Sequence, residues 1–293
     1  MEKKNKLSEI ILTIPSTIWL VVFFIIPTIL VFTIAFKVAD SYGGISDFWT
    51  LDTIKNVCTS DYLYVLWRTV LVSALCTLIC LVLAVGVGYW IAQQNPKYKN
   101  LYLLLIIIPL WTNFLIRIFA WRMVLQPEGF LRTFLLKLGL IGEDTYLLNN
   151  MIAVVIVTVY TCLPFAILPI YAASEKFDFS LMEAARDLGA SRFTAFRKIF
   201  LRGIQRGILT ATLVVLVPAL GSYAIPDLVG GIDSALLGNK IALKLSAGRN
   251  LPEAAALSGL LWLVITLAIV FVLIFSHDSI KKFFKRNNRD LLK

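Results

Sequence analysis

Six mostly apolar stretches run along the chain, near residues 12–36, 63–92, 101–125, 149–173, 205–230 and 254–276. About 20 apolar residues in helical form cross the hydrocarbon layer of a bilayer, so the pattern predicts six membrane-spanning helices. Lys3, Lys4 and Lys6 precede the first stretch, as they would in a secretion signal. Its apolar run is too long for one and no small-residue cleavage site follows, so a retained helix is expected. Polar residues gather between the stretches, in connections that include 38–62, 126–150 and 231–252.

Composition supports the same class. The 293 residues are 59% hydrophobic and 16% charged, with a mean hydropathy of +0.82. A single soluble core stops growing near this length and would not bury so much apolar surface. The expected fold is all-α and polytopic.

Charge placement gives the orientation. Of the 28 Lys and Arg, 18 lie in the N-terminal segment, the second and fourth connections and the C-terminal tail. Seven lie on the alternate side, and Arg68, Arg117 and Arg122 fall within spans. By the positive-inside rule both termini face the cytoplasm, which an even number of spans allows. The net charge of +10 then reflects topology and anionic headgroups, and no basic soluble face points to nucleic acid.

Cys76 and Cys80 share a helical face, but a structural zinc site needs four ligands and no His or carboxylate lies near them in sequence. They read as small packing residues, and no metal site is expected. His277, the single histidine, receives no chemical role. Pro27, Pro109, Pro164, Pro169, Pro218 and Pro226 fall in or at the ends of spans, where each can kink a helix. Gly86, Gly88 and Gly221 are candidates for close helix approach. Most of the span tryptophans suit an interfacial belt; Trp111, nearer mid-span, suits it least.

The fourth connection carries the densest pattern. Ser180 and Glu183 match a capping box, predicting a two-turn helix about 12 Å long. Gly189 suits the left-handed residue that ends such a helix, and Ser191 can cap a second one. Phe193, Phe196, Ile199 and Phe200 would share a face of that second helix.

Glu183, Ala184, Ala185, Gly189, Ile199 and Leu201 together resemble the signature of ABC-importer permeases. In that family the segment contains the coupling helix that seats on an ATP-hydrolysing subunit. The family's usual next residue is proline; Arg202 stands there, implying a different exit from the second helix. A second copy of the short pattern, Glu253-Ala254-Ala255 with Gly259, begins the sixth span on the external side. Spacing together with cytoplasmic placement therefore distinguishes the true segment.

Other stretches resemble spermidine/putrescine-type permeases: Pro109 to Trp121 in the third span, and Pro218 to Gly231, which is similar to the B-type member of the permease pair. Asn239 and Pro252 through Ala255 continue the likeness. The resemblance implies a type I ABC importer permease of the bacterial inner membrane. It divides the chain into an N-terminal helix and external loop (1–62), a permease domain (63–276, with its coupling segment at 174–204) and a basic tail (277–293). It also implies a second permease subunit, two ATPase subunits and an external substrate-binding protein. With no Gly-x4-Gly-Lys-Ser/Thr loop here, ATP and magnesium belong to the partner ATPase and no cofactor to this chain.

Intramembrane charge bears on the cargo. Asp227 is the one carboxylate well associated with a span, and Tyr223, one helical turn earlier, can add cation–π contact. Arg117 and Arg122 would repel an amine. Arg117 has three open roles: pairing with Asp227, bonding a backbone carbonyl, or facing substrate. Trp111, Arg117, Trp121, Tyr223 and Asp227 are the candidate pathway residues. An iron, phosphonate or oxyanion permease is the alternative within the class. A secondary transporter or channel would show buried acids or inverted repeats, and a scaffold would carry no cargo.

Overall fold

The computed structural model describes residues 6–40 and 44–290, with side chains from 13 to 274 in those ranges. Lys3 and Lys4 lie outside the described residues, as do the side chains of Lys6, His277 and the basic tail. The chain opens with α1 (Lys6–Leu20), a π turn at Val21–Ile25, and α2 (Ile26–Ile34). A short hairpin, β1 (Lys37–Ala39) and β2 (Ile45–Trp49), and α3 (Asp52–Val57) lead into α4 (Ser60–Ala92). Next come α5 (Pro96–Ile107), α6 (Phe114–Leu125), α7 (Phe130–Lys137) and α8 (Met151–Glu175). The fourth connection forms α9 (Ser180–Asp187), α10 (Arg192–Ala195) and α11 (Leu201–Gly203), with a π turn at Phe196–Phe200. The rest is α12 (Gln205–Leu220), α13 (Leu237–Ser246) and α14 (Leu251–Asp290).

Among the described residues, four helical stretches are long and apolar enough to cross a membrane: Thr13–Ile34, Ser60–Ala92, Met151–Glu175 and Leu251–Ile274. The third expected span is broken: Pro96–Trp111 and Phe114–Lys137 meet at 92°. The fifth keeps Gln205–Leu220 as one helix, which meets Arg192–Gly203 of the fourth connection at 70°; six candidate spans result if each bent pair is counted as one. The break in the third span has a local cause. Pro109 sits in a 3-10 turn (Ile108–Trp111), Thr112 is extended and bonds the Pro109 carbonyl through its hydroxyl at 2.7 Å, and Asn113 caps α6 by accepting from the Leu115 N–H at 2.8 Å. The fifth span ends early because α12 stops at Gly221, and Pro226–Gly230 is a separate π turn.

The chain divides into two compact units, Met1–Tyr64 with Lys240–Leu263, and Val65–Asn239 with Val264–Lys293. In the first, Phe32 meets Trp262 edge-on at 5.4 Å, and a methyl group on Gly259 would stand 3.3 Å from the Phe32 ring. Glu253 accepts from Tyr62, from Lys244 at 2.8 Å and from Asn250 at 2.9 Å. The Glu253 hydrogen bond pushes the Lys244 pKa up against the opposing effect of burial. The second copy of the short signature is thereby accounted for: Glu253 anchors polar neighbours and Gly259 accommodates a ring.

In the second unit, α8 is the central helix. One core cluster joins Val72, Cys76, Ile118 and Val229 to Ala153, Val154 and Val157. The other joins Cys80, Ala84, Phe200, Ile204 and Val215 to Ala166, Ile167 and Ile170. Cys76 and Cys80 are fully buried packing residues. Of the three glycines expected to allow close approach, Gly88 does so: a methyl there would lie 2.9 Å from Ile170 Cγ2 and 3.2 Å from the Tyr171 nitrogen. Nothing crowds Gly86, and Gly221 meets only ordinary contacts. Gly207 also allows close approach, of α12 to α8: a methyl there would lie 2.9 Å from the Pro169 carbonyl oxygen.

Candidate functional site

The 176–206 connection folds as a helix, a sharp turn and a second helix. Its first cap differs from expectation. Ser180 is the first residue of α9, not its cap, and Asp178 accepts from the Ser180 N–H at 3.0 Å. Hydrogen bonds from the Ser180 side chain and then its N–H hold the Asp178 carboxyl below the usual carboxylate value. A shorter, ionised acceptor two residues upstream satisfies the helix start, so no reciprocal box with Glu183 is needed. Gly189 does take the left-handed conformation, at φ +88°. There the Ala190 N–H reaches back to the Ala185 carbonyl at 3.0 Å and the Gly189 N–H to Arg186 at 2.9 Å. Ser191 caps the second helix as expected, accepting from the Thr194 N–H at 3.2 Å.

Aromatic packing fixes this hairpin to the helices behind it. Tyr89, near the end of α4, meets Phe200 at 4.8 Å, Phe196 at 5.2 Å and Phe179 at 6.0 Å, all edge-on. Phe177 adds edge contacts to Phe179 and Phe200, both at 5.3 Å. Offset and edge-to-face rings contribute beyond the area they bury. The expected shared face is therefore corrected: Phe196, Ile199 and Phe200 pack inward, whereas Phe193 is 69% exposed. Leu188, beside the Gly189 turn, is 89% exposed.

The six signature residues divide in the same way. Ala185, Ile199 and Leu201 pack against the second core cluster, while Glu183, Ala184 and Gly189 are exposed. Glu183, Arg186 and Arg192 face a hollow of about 250 Å³ that Tyr89 and Gln93 also line. Nothing local to the 180–201 letters pointed to Tyr89; the run of Phe177, Phe179, Phe196 and Phe200 was the available sign that an aromatic partner was needed.

A second feature lies among α6, α8 and the end of α12. It is a cavity of about 460 Å³ whose walls include Phe114, Arg117, Thr161, Phe165, Pro218 and Tyr223. Two of the five candidate pathway residues, Arg117 and Tyr223, thus come together. The other three do not line it. Trp111 is 76% exposed, Trp121 meets Tyr160 edge-on at 5.3 Å against the first core cluster, and Asp227 is exposed one turn beyond Tyr223. No Arg117–Asp227 ion pair forms among the described residues. The Arg117 guanidinium lies 5.9 Å from the centre of the Phe114 ring, and its Nε and Nη1 are sheltered without an acceptor.

The loop that carries Tyr223 is held by residues the sequence reading gave no role. Arg68 donates to the Asp233 carbonyl at 2.5 Å and to that of Ala235. Thr69 accepts from the Leu237 N–H at 2.9 Å. Asn239 donates to the Tyr223 carbonyl at 2.8 Å and accepts from the Leu236 N–H at 3.1 Å. A within-span arginine was the one visible hint, since a buried guanidinium needs carbonyl or carboxylate acceptors.

The chain is 37% identical to the spermidine/putrescine transport system permease protein PotB of Haemophilus influenzae, over 91% of this chain and 93% of that protein. It is 36% identical to PotB of Escherichia coli, over 86% and 92% respectively. Among solved structures, a bacterial ABC transporter involved in the import of the acidic polysaccharide alginate superposes with a TM-score of 0.75 at 18% identity, covering 91% of this chain and 94% of that one. The same transporter type in complex with an alginate pentasaccharide-bound periplasmic protein gives a TM-score of 0.67 at 19% identity, covering 89% and 91%. Residues 84–289 match the description "binding-protein-dependent transport system inner membrane component". The chain belongs to this family of transport permeases, which carry the type I ABC permease fold and are not enzymes.

Proposed function

We propose that this chain is one permease subunit of an ATP-driven importer that carries polyamines. The observation that carries the reading is the 180–201 hairpin, whose interior is tied to Tyr89 and the spans while Leu188 and Phe193 stand clear at its turn. An apolar tip on a rigid, charged hairpin fits a groove on a partner ATPase. Closure of two such ATPases on ATP would pull the hairpin and, through the aromatic cluster, tilt the spans. The chain itself binds no cofactor; ATP and magnesium belong to those subunits.

A second, similar permease completes the pathway, and an external binding protein delivers cargo. Both termini and the hairpin face the cytoplasm, as the distribution of Lys and Arg supports. The polyamine assignment is supported by the relatives' names and by their coverage of nearly the whole chain. Trp111, Arg117, Trp121, Tyr223 and Asp227 are the residues that would line the path of the cargo. One observation favours a second reading, a permease for an anion: the cavity carries Arg117 and no carboxylate.

Reconstitution with the co-purifying partners separates these readings. Spermidine and putrescine with the binding protein should stimulate ATP hydrolysis, and iron, phosphonates and oxyanions should not. Stimulation by an oxyanion alone would replace the polyamine assignment. Glu183→Ala should abolish stimulation while the complex still forms, and unchanged stimulation would remove Glu183 from coupling.

A further inference from the structure

The Arg117 cavity conflicts with the proposed cargo. Its walls carry aromatic rings, the hydroxyls of Thr158 and Thr161 and one guanidinium, with no carboxylate. Sheltered Nε and Nη1 lack acceptors, and the Phe114 ring face offers only partial compensation. A guanidinium with two of its three nitrogens sheltered and no counter-charge beside it is unfavourable, and a protonated amine entering beside Arg117 would be more so. One carboxylate would relieve both deficits. Asp227 does not line the cavity, and the described ion pairs of this chain lie elsewhere. Phe114, Ile116 and Phe119 on the same helix are also exposed in the isolated chain.

We propose that in the assembled importer a carboxylate of the second permease subunit pairs with Arg117 when the pathway is empty, and exchanges the guanidinium for an ammonium group of the passing polyamine. Arg117 then acts as an internal competitor for the cargo. It keeps the counter-charge occupied at rest and displaces the amine at release. The exchange rests on the polyamine and two-permease reading above, whereas the resting ion pair can be tested without any polyamine.

Cys162 lines the same cavity and supplies a reporter. In the reconstituted complex, its modification by cationic and anionic methanethiosulfonates is followed by mass spectrometry of its peptide, with rates normalised to a free thiol. A neutral pair in the wild type predicts rates within about threefold of each other. Arg117→Gln leaves the partner's carboxylate alone and should favour the cationic reagent by about tenfold, whereas Arg117→Lys should stay near the wild type. If Arg117→Gln does not assemble, acid-to-amide substitutions in the spans of the second permease take its place, and one of them should shift the ratio about tenfold toward the anionic reagent. A wild-type cavity that strongly prefers the anionic reagent would overturn the pair and mark an anion site. An unchanged ratio in every assembled variant would also overturn it, as would a Cys162 that neither reagent reaches with or without ATP. Failure of the polyamine reading appears separately, as wild-type ATP hydrolysis unmoved by spermidine or putrescine while the labelling ratio still reports the pair.

Discussion

Gly189 adopts φ +88° at the tip of the hairpin, where a side chain costs about 1–2 kcal/mol because Cβ crowds the following carbonyl. No atom blocks the space around it, so the cost is purely backbone strain. Gly189→Ala should therefore reduce substrate-stimulated ATP hydrolysis by misplacing Leu188, with membrane levels unchanged; full stimulation would mean that the turn tolerates another conformation. The glycine was readable from sequence because a left-handed residue after a short helix is a local requirement. The start of α9 differs from expectation for an equally local reason: Asp178, one residue ahead of the cap position, accepts from the Ser180 N–H in place of a Ser180 cap.

At the scale of elements, the break between α5 and α6 separates composition from geometry. Hydropathy over 101–125 is continuous, yet the letters Pro109-Leu-Trp-Thr-Asn113 contain a missing donor, a hydroxyl bonded to the proline carbonyl and a capping side chain. Together they turn the chain through 92°. Asn113→Ala should remove a cap that contributes about 1 kcal/mol, lowering the thermal midpoint of the purified complex and slowing uptake. Asn113→Asp, which keeps the acceptor, should restore both. Equal midpoints for the two variants would assign the bend to Pro109 alone.

Across the whole molecule, Tyr89 links the hairpin to α4, and the hairpin's exposed tip is free of that contact. Two substitutions should therefore separate docking from transmission. Leu188→Asp places a charge on the tip and should lose the ATPase subunit on purification. Tyr89→Ala removes three ring contacts, each worth about 0.5–1.5 kcal/mol beyond area burial; it should keep the ATPase subunit yet lose stimulation by substrate, with Tyr89→Phe close to wild type. Loss of the ATPase subunit from both variants would show that docking and transmission are one function.

Sequence by itself determined the class of this protein. A run of apolar residues long enough to cross a bilayer, and a bias of Lys and Arg to one set of connections, are properties of composition and survive any packing. The hairpin at 180–201 was legible too, because turns and N-caps are set by near neighbours. Tertiary structure decided the rest. Which phenylalanines face Tyr89, which glycine lets α12 approach α8, and the gathering of Arg117 and Tyr223 around one cavity all depend on residues far apart in the chain. Long-range contacts of that kind leave no periodicity in the letters, since each depends on where a distant helix places its side chains.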